Sequence, residues 1–514
     1  MRPAATVFDL AGARAQMVGA LTAAGYRFGV ENPIRRTLLD SFDARLRSSG
    51  LRLVLVESDE RKVLTLTGTD MVAATAEVAI VPQRTAELPA GSFRARVGAA
   101  LGVRALVPRL YLSCTASHGH RFDTSNRTIS VVTVSTDVQV QCPVVLHVDR
   151  PFIEVTELVG EVRSFEKALA VVSEHHLKEL GTDLMSVVAE AAGVDLGDLS
   201  GAPTIALGSK QPAIDGFRAV LRNLLAAARA NIDGASRNVD VEFLHDLRVA
   251  IRRTRSVLAE GRRVVPPDEV AWARERFGWL AGMAGPARDL DVMLVEWDGI
   301  IRPFDESTRE SLAGVDALCQ RRCDEAHDDL AQCLSSQETV DLLNRWQEWL
   351  DEPDEKIACG DHGNRALGDV VAARLTKAQT KLIDAGSRIT AESPADELHD
   401  LRKKAKRLRY LFESFGALIA DDERKRFVQR LKALQDNLGE HQDAQVQAER
   451  LTAIAAELRS DNATTETLLA LGRVIERLDA RRISARDEFA TRFAAYDTDS
   501  TNDVFNAVVA SVRS

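Results

Sequence analysis

LHDLRVAIRRTRSVL, from Leu244 to Leu258, and LHDLRKKAKRLRYLF, from Leu398 to Phe412, align without a gap at an offset of 154 residues. The register continues beyond the two segments: Leu280 meets Leu434, Gly285 meets Gly439, Asp289 meets Asp443 and Val292 meets Val446. Each His is thus followed 44 positions later by an Asp. A repeat kept over this distance predicts two copies of one helical unit packed about a pseudo-twofold axis. At about 100° per residue, Leu244, Leu247, Ile251 and Leu258 share one arc of a helix, and His245, Arg248, Arg252 and Arg255 share the next. Leu398, Leu401, Ala405 and Leu408 repeat the apolar arc, and His399, Arg402, Lys406 and Arg409 repeat the basic one.

From His245 to Arg255 there are four positive residues against one negative, and from His399 to Arg409 six against one, with His neutral. On an open surface each like-charged i,i+4 pair costs only a few tenths of a kcal/mol; beside a packed core it costs more, and a bound anion offsets it. Arginine donates two bonds at once to phosphate oxygens and lysine adds a mobile point charge. A stripe from 245 to 255 spans roughly 15 Å of helix, which suits a chain of phosphates better than a single one. Two neighbouring helices offer Arg218, Arg222 and Arg229, and Arg374, Lys377 and Lys381, as further contacts, though periodicity does not fix which side they face. The plainer reading is a solvated, salt-bridged face with Asp246, Asp289 and Asp443 as partners. His245 and His399 are equally readable as packing residues at the helix start, and Asp289 and Asp443 as groups that orient arginines.

The rest of the chain frames this pattern. A length of 514 residues with 45% hydrophobic content suffices for several cores, and a pI near 5.6 confines any polyanion site to a local patch on an acidic background. No uncharged run is long enough for a membrane span, no leader pattern opens the chain, and six scattered cysteines make no disulfide framework. A soluble cytoplasmic protein with reduced thiols is expected. Residues 51 to 67 and 127 to 159 alternate Val, Thr and Ile as strands do, whereas 11 to 25 and 164 to 193 carry helical periodicity. The first 204 residues therefore read as an α+β domain with an antiparallel sheet, followed by an all-α region. The Gly-, Pro- and Ser-rich stretch from 197 to 215 places the boundary near 205. Further helix breaks fall at Pro266-Pro267, Gly285-Pro286, Pro303, Pro353 to Gly363 and Pro394.

HDLRVAIRRTRS, PARDLDV (286 to 292), LHDLRKKAKRLRYLFESF and LQDNLGEHQDAQ (434 to 445) resemble the repeated signatures of the CHAD family, the conserved histidine α-helical domain, over about residues 213 to 495. The resemblance implies a pair of four-helix bundles, here 213–350 and 364–495, with a basic surface that binds inorganic polyphosphate. It implies contacts from His245, Arg248, Arg252, Arg253, Arg255, His399, Arg402, Lys403, Lys406 and Arg409; the expected partner is inorganic polyphosphate, free or in polyphosphate granules. Gln442 stands where the first copy has Arg288, and Gln445 where it has Asp291, which weakens the second acidic motif and any metal role for it. TLLDSFDARLRSSGLRLVLV, from Thr37, is similar to a segment of the CYTH or triphosphate-tunnel fold. That fold's catalysis uses an opening Glu-x-Glu-x-Lys strand, an Arg-x-Arg after the Gly-Leu and a later Lys; ATVFDL, Val54-Leu55-Val56 and Thr67 stand there instead. Glu154 and Glu157 resemble its later acidic strand.

The expected function is therefore non-enzymatic polyphosphate binding, with no cofactor and no metal. A triphosphatase or cyclase in the first domain is the enzymatic alternative, and nucleic-acid binding by the stripes is a second, disfavoured by the scarcity of aromatics for base stacking. Cys319, Cys323 and His327 share one helical face, but the outer two lie about 12 Å apart along a straight helix, too far to share an ion.

Overall fold

The computed structural model describes residues 5–513 apart from 11, 59–60, 69–70, 142–144, 149, 159, 182, 200–204, 354–357 and 461–462. The chain divides into two compact units, residues 1–201 and 202–514. The boundary expected near 205 adjoins 200–204, and the joining stretch from Pro353 to Gly363 contains 354–357, positions outside the described residues.

The first unit runs β1 (Ala5–Asp9), α1 (Arg14–Ala23), β2 (Arg27–Phe28), β3 (Asn32–Asp40), α2 (Arg45–Ser48), β4 (Leu51–Glu57), β5 (Lys62–Gly68), β6 (Met71–Glu77), α3 (Ser92–Leu101), β7 (Val107–Phe122), β8 (Thr128–Gln141), β9 (Val145–Val148), β10 (Phe152–Thr156), α4 (Val162–Ser173), β11 (Glu179–Gly181) and α5 (Leu184–Ala191). The sheet order is β11-β1-β10-β8-β7-β3-β4-β5-β6, with β2 on β7 and β9 on β8, and the pairings are antiparallel as expected. Alternation sends Phe8 and Ile153 to the face covered by α1 and α4, and Leu53 and Leu55 to α2 and α3. Val7, Leu110 and Leu112 go to the opposite core, which α5 closes with Leu184, Met185 and Val188. The helical stretch expected over 164 to 193 is two helices separated by β11; His176, at φ 54°, turns the chain between them. Asp40 organises the turn of the Thr37 segment: its carboxylate accepts from the backbone N–H of Ser41 (2.7 Å), Leu46 (2.8 Å) and Arg47 (3.0 Å).

The second unit contains α6 (Ala213–Ser236), α7 (Val241–Glu260), α8 (Pro267–Met283), α9 (Gly285–Ile301), α10 (Glu306–Ser311), α11 (Ala313–Ser335), α12 (Gln337–Asp351), α13 (Leu367–Gly386), α14 (Ala395–Ser414), α15 (Asp421–Ser460), α16 (Thr465–Tyr496) and α17 (Asp499–Arg513). The proline signals mark helix starts at α8 and α14 and follow the ends of α9 and α12. Equivalent packings recur: α6 on α7 matches α13 on α14, and α9 on α11 matches α15 on α16. One difference has a visible cause. Pro286 breaks the first copy into α8 and α9, whereas Glu440 stands at the equivalent place and α15 runs unbroken for 40 residues. The second bundle also extends past 495, because Phe505, Val508 and Val512 of α17 are buried.

The pseudo-twofold relation is written in the backbone. Pro212 and Ala366, which are 154 residues apart, form an antiparallel bridge. Ala213 N donates to Arg365 O at 2.8 Å and Leu367 N donates to Gln211 O at 2.9 Å. Two cross-copy ion pairs come close to the same relation: Arg253 reaches Glu413 at 2.7 Å, and Arg407, the repeat equivalent of Arg253, reaches Glu260, with the two acids one position out of register because Glu413 matches Ala259 and Glu260 matches Ser414.

Close helix approach depends on glycine at Gly234, where an added Cβ would strike the buried Phe243 ring. Gly234→Ala is expected to lose stability on the order of 1 kcal/mol, overpacking outweighing the gain of about 1 kcal/mol in helix propensity. Gly282→Ala, at an exposed helical position with nothing within 4 Å, should instead gain a few tenths to about 1 kcal/mol. Urea midpoints of the two variants check the opposite signs.

Candidate anion-binding surface

The two basic stripes lie on α7 and α14, helices that pack against each other. Arg252 and Lys406, repeat equivalents, come close enough to interact: Lys406 is pushed down to about 8 by burial first, then by Arg402, Arg252 and Arg409, against the pull of Asp443. Arg252 lies 5.4 Å over the ring of Tyr410. Burial, together with Arg252, Arg288 and Arg450, pushes Arg248 down against the pull of Asp289. Arg274, on α8, is lowered by burial and by Arg262 and Arg255, so the positive region continues onto the neighbouring helix. Gly285 and Gly278 lie beside it: an added Cβ would meet the Arg248 guanidinium at 3.6 Å and that of Arg255 at 3.8 Å, in ordinary contact.

Among the described residues, Arg248, Arg252, Arg255 and Lys406 form no ion pair, although Asp289 and Asp443 lie near enough to act on Arg248 and Lys406. Other members of the expected set are engaged. Arg402 pairs with Asp443 at 2.8 Å, Arg409 with Glu413 at 2.6 Å and the exposed Lys403 with Asp400 at 3.0 Å. Arg253 ties α7 to α14 through Glu413. His399 Nδ1 bonds Gln442, and His245 is half-buried. Asp443 and Asp289 orient arginines as expected, Asp289 through Arg450 at 2.5 Å.

Arg218 and Arg222 depart from the expected role. Arg218 is 2% exposed and donates to the carbonyls of Leu350 (2.7 Å) and Glu352, while Arg222 bonds Asp351 and Leu350. Both satisfy carbonyls left open at the C-terminal end of α12, and Arg229 reaches Asn344 on the same helix. Lys377 and Lys381 are exposed on α13. Tyr410, Arg262, Arg274 and Arg450 were not singled out in the sequence, because they lie off the repeated stripes and join them only through helix packing.

The first unit holds a cavity of about 1270 Å³ on the α5 face of its sheet. Val54, Val56 and Thr67 line it at the positions where the tunnel resemblance expects basic residues, and Ala5 is what β1 contributes. Two of its arginines are paired: Arg36 with Glu154 at 2.8 Å and Arg52 with Asp183 at 3.1 Å. Arg109 donates to Ser41 O (2.7 Å) and Gly197 O (2.5 Å). Burial, then Arg36, pushes the His118 imidazole below its ordinary value, toward the neutral form.

Residues 219–452 match the family model for the CHAD domain. Two uncharacterised proteins of Mycobacterium tuberculosis, from strains CDC 1551 and H37Rv, are each 29% identical over 245 residues. The match covers 46% of this chain and 45% of theirs, so the chain spans less than half the length of these relatives. A crystal structure of the CHAD domain from the plant Ricinus communis aligns at 24% identity and TM-score 0.48, over 57% of this chain and 96% of that one. A Hippeastrum protein with a dominant triphosphatase activity aligns at 10% identity and TM-score 0.26, over 37% of this chain and 95% of that one. With its duplicated His-to-Asp spacing and its paired helical units, the C-terminal half of this chain carries a CHAD domain.

Proposed function

We propose that the helical unit binds inorganic polyphosphate across the positive surface where α7 meets α14. The observation that carries this reading is Lys406, half-buried among arginines and without an ion pair among the described residues. Like charges gathered this closely raise the free energy of the empty surface, and an anion that spans them lowers it. Arg248, Arg252, Arg255, Arg402, Lys406 and Arg409 form the contact set, while Arg253 acts through the α7 to α14 tie. The first unit serves as scaffold or partner surface: its cavity balances Arg36, Arg47, Arg52 and Arg109 against Asp40, Glu154, Glu157 and Asp183, which disfavours a triphosphate.

Calorimetry on the full chain tests the surface. Wild type is expected to bind polyphosphate with an affinity that falls steeply with salt, log K dropping about 0.7 per log salt for each phosphate contact as for a flexible single strand. The variant with Arg248, Arg252, Arg402 and Lys406 changed to Ala should lose that binding while keeping its circular dichroism. Unchanged binding in the variant, or none in wild type, would return the stripes to a structural role. Competition with RNA at matched phosphate concentration discriminates the nucleic-acid reading.

Lys406 adds a pH signature. Its value in the fold, about 8, lies below the ordinary lysine value of 10.5, and a bound anion favours the charged form and raises it again. Binding near pH 8 is therefore expected to take up protons, and affinity to fall as pH rises through 8. Titrations in buffers of different ionisation enthalpy read the proton uptake, which Lys406→Met should remove. A metal-dependent tripolyphosphatase assay on the full chain should give no release above background.

A further inference from the structure

Cys323 and His327 lie one turn apart on α11, and the structure brings Asp291 of α9 to them in place of Cys319, the residue counted with them in the sequence. One donor atom from each of Asp291, Cys323 and His327 falls within 4.8 Å of the others. His327 Nε2 is 2.8 Å and Cys323 Sγ is 3.5 Å from Asp291 Oδ1. All three are at least nine-tenths buried, at 3%, 4% and 5% exposure for Asp291, Cys323 and His327. The second carboxylate oxygen, Asp291 Oδ2, has no hydrogen-bond partner among the described residues. A buried carboxylate oxygen left without a donor costs about 1–3 kcal/mol or more, and a cation would satisfy it.

We propose that Asp291, Cys323 and His327 form a binding site for a zinc-type divalent transition metal. The donor set is a soft thiolate, an imidazole and a carboxylate, the mixture such ions favour, with water completing four-coordination. Thiolate and carboxylate together neutralise the dication, so the occupied site buries no net charge. The site is particular to the first copy: at the offset of 154, Gln445 replaces Asp291, and Arg477 and Arg481 replace Cys323 and His327. It therefore stands apart from the duplicated anion-binding surface and does not depend on polyphosphate binding. Its role is structural, fixing α11 against α9 beside the core of Met293, Trp297 and Leu318.

The test is full-length protein made in minimal medium supplemented with zinc or with cobalt. Elemental analysis is expected to find one metal ion per chain, and the cobalt protein to show a thiolate-to-metal charge-transfer band in the near ultraviolet. Cys323→Ser should lose the band and bind at least about tenfold more weakly, whereas Cys359→Ser should keep both. Because Cys323→Ser could fold poorly, Asp291→Asn serves as a second variant and should also lose the metal. Wild-type protein without metal, or cobalt bound without the charge-transfer band, would overturn the proposal and leave the trio a hydrogen-bonded packing cluster.

Discussion

Two backbone hydrogen bonds, Ala213 N to Arg365 O and Leu367 N to Gln211 O, join the two copies of the helical repeat at equivalent points of each. They fix where α6 and α13 begin, and so where α7 and α14 return. Those returning helices cross the axis and are tied by Arg253 to Glu413 and Arg407 to Glu260. The clustering of Arg252 with Lys406 follows, because both are brought to the axis by helices that cannot separate without breaking the ties. Repulsion within the positive surface is thus borne by ion pairs outside the stripes, which lets the surface remain charged without opening the fold.

The repeat was the most legible feature, since its offset recurs in side-chain type, in helix packing and in the bridge itself. The stripes were legible because a helix displays every third and fourth residue on one side. What periodicity could not supply was the neighbour across a helix interface. Arg218 and Arg222 share a face with each other, yet only the placement of α12 shows that they end on its carbonyls. Asp291 was read as part of an acidic motif, and its meeting with Cys323 and His327 depends on the packing of α9 on α11. In the first unit, the strands of β4 and β5 alternate cleanly, but β3 and β7 were not read. NPIRRTLLD has Pro33 as its second residue and carries a charged pair, and the 16 residues of β7 mix His, Arg and Gly into their pattern.

The two units handle arginine in opposite ways. In the sheet cavity, Arg36, Arg52 and Arg109 are each held by an acid or by carbonyls, leaving Val54, Val56 and Thr67 as neutral wall. On the helices, Arg248, Arg252 and Arg255 form no ion pair among the described residues. Arg252 and Arg255 are exposed and can stay open to solvent, whereas Arg248 and Lys406 are half-buried and unmatched, which is where a bound anion would lower the free energy most.

The bridge at Pro212 and Ala366 also bears on what kind of polymer can lie across the axis. Turning the helical unit about that axis exchanges His245 with His399, Arg248 with Arg402 and Arg252 with Lys406, so the surface looks nearly the same from either approach. A linear phosphate chain has no head or tail and meets such a surface equally well in both directions. A strand of RNA runs one way, and would present unlike ends to matching halves.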